Sequence, residues 1–191
     1  RAFQFNCLLA DGTPDTSFGE DGSVVIPGPD NMYVRSVAVQ SDGKILFGGA
    51  VYGDLLLGRL EPSGELDTSF GTGGMARYSS PGVGMHLFRI RTAPNGDIFM
   101  AGSMANSFDA TGLMVCKVLP DGTRDSSFGN NGFFFHDHSE NVYLYEALED
   151  FHIGADESLV LAGTMRLPEV GERFCAVKVL PNGTFDQTFG D

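Results

Sequence analysis

Apolar runs of five to nine residues, cut at short intervals by Gly, Pro, Asn and Asp, recur along the whole chain. Nowhere does an apolar pattern at i, i+3, i+4 and i+7 persist, so the sequence predicts strands and essentially no helix. One set of four runs covers residues 23–27, 33–40, 44–51 and 54–60, each rich in β-branched or other apolar residues and bounded by turn formers. Labelled A to D, these strands return at 75–79, 85–93, 97–103 and 112–119. A third set lies at 133–137, 141–153, 158–165 and 173–180, with a turn or bulge expected inside its long second run. Residues 3–9 read as a lone D strand that opens the chain mid-unit.

Between each D strand and the next A strand stands a nine-residue motif. It appears as DGTPDTSFG (11–19), SGELDTSFG (63–71), DGTRDSSFG (121–129) and NGTFDQTFG (182–190). Self-similarity at such spacing is the mark of a repeat architecture. The leading pair, a small polar residue before Gly, reverses the chain, because Gly takes a positive φ freely and an Asp or Asn side chain bonds the backbone two residues on. The carboxylates of Asp15, Asp67, Asp125 and Asp186 are expected to brace the loop by accepting backbone N–H bonds. Phe18, Phe70, Phe128 and Phe189 are expected to plug it into the core, with Gly19, Gly71, Gly129 and Gly190 closing the turn. A calcium loop is the competing reading of these oxygens, but the first acidic position is Ser63 in the second copy and Asn182 in the fourth.

The C strands end on small pairs, Gly48-Gly49, Ala101-Gly102 and Ala162-Gly163, which suit a closely approaching neighbour. The D strands carry Arg59, Lys117 and Lys178 at one repeated position, read here as edge protection. Four short antiparallel strands per unit cannot bury both faces alone, and radial packing of such sheets is a β-propeller. The expected fold is all-β: four-stranded meander blades at 20–71, 72–129 and 130–191, preceded by a last strand and exit loop at 1–19. Three blades are fewer than the roughly four needed for closure, so flanking repeats or copies of the chain itself are expected to complete the ring.

The DGT-x-D-x-SFG-x-x-G motif, the SDGKIL turn and strand, the Gly-Gly pair and the RL-x-P-x-G-x-LD-x-SFG exit together resemble the delta-sixty repeat family. The resemblance spans nearly the whole chain and is weakest in the third unit, where Glu157 replaces the turn glycine. It implies propeller-type repeats of large bacterial secreted or surface proteins, type IX secretion in some lineages, an extracellular or cell-surface location in a Gram-negative bacterium, and no catalytic residues to carry over.

Charge narrows the partners. With 12 basic against 25 acidic residues the net charge is -13, which repels nucleic acid and anionic lipid. No run is long and apolar enough for a membrane span. Cys7, Cys116 and Cys175 are odd in number, lack metal-type spacing and read as small buried hydrophobes.

Motif-final glycines 19, 71, 129 and 190 step by 52, 58 and 61 residues, and the variation lies in the A–B and C–D connections. Insertions gathered on one face often mark a binding face. A protein or glycan partner is therefore expected there, at Asn106, Phe108, Asp109, Arg166 and Glu169. His136 and His138, at i and i+2 on a strand, share a face and are candidate metal ligands, with His86 or His152 as a third. Glu146, Glu149 and Asp150 form an acidic run that reads as a solvated bulge. No cofactor is expected beyond calcium or a transition metal at these candidates. The leading expectation is a non-catalytic binding or structural module acting in adhesion, surface assembly or protein contact; the alternative is a metal-dependent hydrolase of the propeller lactonase type.

Overall fold

The computed structural model describes residues 2–105, 111–136, 146–167 and 171–190, of which the side chains of residues 111, 146–147 and 165–167 are not described. The candidates Asn106, Phe108, Asp109, His138 and Glu169 lie outside the described residues, as does the side chain of Arg166.

The chain is all-β, with no helix among the described residues. Its strands are β1 (Ala2–Asn6), β2 (Ser23–Pro27), β3 (Tyr33–Val39), β4 (Ile45–Val51), β5 (Asp54–Leu60), β6 (Met75–Tyr78), β7 (Gly84–Thr92), β8 (Ile98–Ala105), β9 (Thr111–Val118), β10 (Phe133–His136), β11 (Glu146–Ile153), β12 (Leu159–Leu167) and β13 (Gly171–Val179). All pairings are antiparallel, in sheets ordered β1-β2, β3-β4-β5-β6, β7-β8-β9-β10 and β11-β12-β13.

The sheets are offset by one strand from the units at 20–71, 72–129 and 130–191. Each A strand closes the sheet of the unit before it, β2 on β1, β6 on β5 and β10 on β9. A blade is therefore B-C-D followed by the next A. The motif loop, with two glycines of positive φ in each copy, is a hairpin connection that returns the chain alongside the strand it has just left.

Cores lie between successive sheets. Phe18, Ile26, Phe47 and Leu60 fill the first, between β1-β2 and the sheet that follows. Leu46, Leu55, Leu57, Met85, Leu87, Met100 and Met114 fill the second; Phe99, Val115, Phe134, Phe151, Leu161 and Val177 fill the third. Neighbouring residues of one strand serve opposite cores, Leu46 the second and Phe47 the first, as the two-residue strand period requires. Central strands thus have both faces buried, and their sequences are apolar throughout.

The B strands β3, β7 and β11 adjoin across successive sheets: the Ile90 N–H donates to Ser36 Oγ at 3.0 Å, and Arg91 reaches Asp150 at 2.8 Å. Each carries a bulge at one register, between Val34 and Ser36, Leu87 and Arg89, and Leu148 and Asp150. The irregularity anticipated only in the third unit is thus common to all three. It also explains half of the first two small pairs. A Cβ on Gly49 or Gly102 would fall on the bulged strand's carbonyl, at Tyr33 or His86, within the same sheet; Gly48 faces the next sheet, at Ile90 and Leu87, and Ala101, in the matching place, packs in the third core.

Motif loops interlock along the chain. The N–H of Gly19 donates to the Ser63 carbonyl at 2.8 Å, that of Gly71 to Asp121 at 2.9 Å and that of Gly129 to Asn182 at 2.8 Å. Phe18 lies under Gly64 and Phe70 under Gly122, where an added Cβ would meet the ring at 3.1 Å, and the Phe128 backbone abuts Gly183. Phe18, Phe70 and Phe128 are 2%, 0% and 1% exposed, against 39% for Phe189. Phe70→Ala should therefore lower unfolding free energy by about 3–5 kcal/mol, the range for a buried aromatic. In dilute protein Phe189→Ala should cost less than about 1 kcal/mol. Urea unfolding of the two variants checks this, and equal losses would contradict the latch.

Candidate functional site

The motif carboxylate sits at the centre of each loop. Its Oδ1 accepts the N–H and hydroxyl of the residue two positions on: Ser17 on Asp15, Ser69 on Asp67, Ser127 on Asp125 and Thr188 on Asp186, each N–H at 3.0 Å. The other oxygen takes the D-strand cation. Arg59 Nε lies 2.6 Å and Lys44 Nζ 2.7 Å from Asp67, Lys117 is 3.4 Å from Asp125, and Lys178 is 3.1 Å from Asp186. This corrects the reading of Arg59 and Lys117 as edge protection, whereas Lys178 stands on β13, an edge strand among the described residues. β5 and β9 are flanked on both sides, so they have no open edge to protect, and Arg59 and Lys117 are buried ion-pair partners.

In the first copy Cys7 holds the cation's position, its thiol 3.9 Å from Asp15 Oδ2. Cys116 and Cys175 are buried and in no disulfide, and burial pushes the Cys116 pKa up. Lys117 also reaches Asp97 at 2.9 Å and Glu157 at 3.2 Å. Burial disfavours its charge, but the bonds to Asp97 and Glu157 outweigh that and raise its pKa. Glu157, in the place of a turn glycine, holds φ at 64° while its carboxylate ties the third sheet's turn to Lys117 and Asn95 of the second.

Burial favours the neutral form of Asp67, yet bonds from Lys44, Ser69 and Arg59 hold its carboxyl far below the ordinary range. That stabilisation is fully present above the unfolded value of about 4 and is lost as pH falls through the depressed folded value. Asp67→Asn, which strands buried Arg59, should cost about 3 kcal/mol at pH 7. It should also flatten the fall of stability below about pH 4, by up to about 1.4 kcal/mol per pH unit for the one proton removed. Denaturant titrations at a series of pH values check both signs.

Among the described residues the candidate histidines His86, His136 and His152 are not brought together. His136 ends β10, its ring stacked 5.1 Å from Phe185 and 6.2 Å from Phe134. His86 and His152 stand on β7 and β11 in separate clefts. Among the described residues no three His, Cys, Asp or Glu side chains converge as a metal-holding group. Asp150 of the acidic run is bound by Arg91 through both oxygens, at 2.8 and 2.9 Å, which lowers its pKa.

A cavity of about 340 Å³ opens between β3 and β7, where the A–B connection before β3 meets the β4–β5 turn. Tyr33, Arg35, His86 and Phe88 line it from the strands, Asn31 and Tyr52 from the connections, and no carboxylate of the described residues faces it. Tyr33 and Tyr52 are 63% and 71% exposed, and Asn31 Nδ2 donates to Tyr52 Oη at 3.3 Å. Arg35 makes no ion pair among the described residues. Tyr52 and Gly53 form a two-residue hairpin with both φ positive, 50° and 82°, a turn that favours Asn-Gly. Asn31 is left-handed as well, at φ 62°. An exposed tyrosine in that conformation lowers no core energy, and such strain clusters at ligand-binding positions.

Of these six side chains His86 alone was a sequence-based candidate, as a third metal ligand; the partner-site candidates followed the longest connections in the second and third units. The sequence signal was Tyr where turn chemistry calls for Asn. Tyr52→Asn should raise stability by about 1 kcal/mol by relieving the left-handed tyrosine, a gain readable as a higher thermal midpoint.

Residues 40–70, the second half of the first repeat through its motif, match the profile of a family described as "Domain of unknown function (DUF5122) beta-propeller". No curated protein matches the chain in sequence. Among solved structures it is similar to a protein of unknown function from Bacteroides caccae, at 12% identity and a TM-score of 0.35, over 83% of this chain and 65% of that one. The chain thus spans just under two thirds of that neighbour's length. The interlocked all-β sheets and the match over residues 40–70 identify this chain as a bearer of β-propeller repeats.

Proposed function

We propose that the chain is a non-catalytic binding and structural module of a large secreted or cell-surface bacterial protein, and that it holds a carboxylate-bearing glycan in the cavity between β3 and β7. The finer family reading, the delta-sixty repeats of Gram-negative surface proteins, belongs to the same proposal, as do roles in adhesion or surface assembly. The observation that carries it is the cavity lining: Tyr33, Tyr52 and Phe88 offer aromatic faces, Asn31 offers amide polarity, and Arg35 offers a free guanidinium.

Aromatic faces stack on the C–H faces of sugar rings and bury apolar area at low entropic cost. A guanidinium fits a carboxylate through two parallel hydrogen bonds. A lining with no carboxylate among the described residues, on a chain of charge -13, favours an acidic ligand at this spot over the rest of the surface. The site lies on the face of the A–B and C–D connections, where lengths vary between repeats without disturbing the motif loops.

Calorimetric titration with polyuronate oligosaccharides, beside neutral glucans of equal length, tests the reading. The native chain should bind the acidic series, more weakly as salt rises. Arg35→Ala and Tyr52→Asn should each weaken binding about tenfold or more, as expected for a hydrogen bond to a charged group and a lost aromatic platform. Unchanged affinity in Arg35→Ala, or equal binding of neutral glucans, would reject it.

A further inference from the structure

Along the B strands the apolar places repeat, while the polar places beside them do not. The bulge fixes the alignment, because Ser36, Arg89 and Asp150 each resume the pairing after it, opposite Gly48, Ala101 and Ala162. Next come Val37, Ile90 and Phe151, apolar in every unit, then Ala38, Arg91 and His152. A scaffold can keep one residue type at a repeated place, as the motif Asp and Phe do in all four copies. Here a methyl group, a guanidinium and an imidazole succeed one another at a single place, and the three strands bring that place together.

Ala38 of β3, Arg91 of β7 and His152 of β11 all line one cleft of about 420 Å³, with Thr92 and Ile153 beside them. The size suits a small molecule, for which sites run from about 300 to 1,000 Å³. The cleft lies at the far end of β3 and β7 from the Arg35 cavity, and no carboxylate of the described residues lines it. Both bonds from Arg91 to Asp150 leave from Nη2, so the N–H groups on Nε and Nη1 have no acceptor among the described residues. Arg89 stands 3.8 Å from the same carboxylate, so two guanidinium groups share one carboxylate. A second anion beside Arg91 would balance them.

We propose that this cleft is a second binding site, for a small organic oxyanion. The spare N–H groups of Arg91 and the Thr92 hydroxyl hold the anionic head, His152 flanks it, and an apolar body rests on Ala38 and Ile153. A guanidinium fits carboxylate and phosphate alike. Asp150 acts as a built-in competitor, occupying Nη2 and lowering the positive charge that the ligand meets.

NMR titration of the 191-residue chain at low salt tests the site, with butyrate, phenyl phosphate and the neutral butyramide as probes. The Arg91 Nε–H, Thr92 amide and His152 ring signals should shift saturably with at least one anion, and the tighter of the two identifies the source of the charge. Butyramide should leave them unmoved. Arg91→Gln should weaken binding about tenfold or more, as expected for lost hydrogen bonds to a charged group. Asp150→Asn keeps the side-chain shape and removes the competing charge, so it should tighten binding. Silence toward both anions, an equal response to butyramide, undiminished binding in Arg91→Gln or weaker binding in Asp150→Asn each overturns the proposal. None of these signals comes from the Arg35 cavity, so the glycan reading stands or falls separately.

Discussion

Each motif loop is held to the next by the contact of its Phe-Gly tip with the following turn. Phe18 and Phe70 lie beneath the turn glycine of the next motif, and the Phe128 backbone abuts Gly183, all three rings being buried. The contact demands two conformations at once: a turn with no Cβ at its apex and a preceding loop rigid enough to present the ring. The Asp brace provides the second, since Oδ1 fixes the loop backbone while Oδ2 anchors it to a cation on the D strand. Arg59 joins these functions directly, pairing with Asp67, lying 4.5 Å over the Phe70 ring and donating to the Pro120 carbonyl of the next motif at 2.6 Å.

The readable part of this structure was the part governed by local backbone rules. Four strands per unit, the polar residue before Gly at each turn, and a carboxylate two residues before a hydroxyl all follow from interactions spanning a few positions. What escaped sequence reasoning is non-local. The A strand is joined to its unit by chain continuity, yet it hydrogen-bonds to the strand before the motif, and no periodicity marks that choice. Arg59 and Lys117 looked like edge charges because only the closed sheet shows β6 and β10 covering their strands. The bulge shared by β3, β7 and β11 was visible only where an unusually long run advertised it. Gly49 and Gly102 signalled its other two instances, but a glycine in a strand is explained as well by an approaching sheet.

The cavity shows the same division. Tyr52-Gly53 is legible as a two-residue turn, and the aromatic in it breaks the local rule. Its neighbours Tyr33 and Arg35 come from β3 and His86 from β7, and only the meeting of these two strands collects them. The B strands concentrate cations on a chain that is otherwise acidic: Arg35 on β3, and Arg89 and Arg91 on β7, the latter two answered by Asp150 of β11. Among these three arginines, Arg35 is the one without a carboxylate.

The latch also has a direction, always from an earlier loop to a later turn. Chains emerge from the ribosome in that order, so a repeat's phenylalanine leaves the exit tunnel before the glycine that will cover it exists. Folding must then trail synthesis by one unit, with a single unburied aromatic at the growing end and every earlier one already sheltered. Such polarity keeps exposed apolar surface constant however many repeats are made. A gene of this kind can lengthen by whole units without raising the aggregation hazard of the nascent protein.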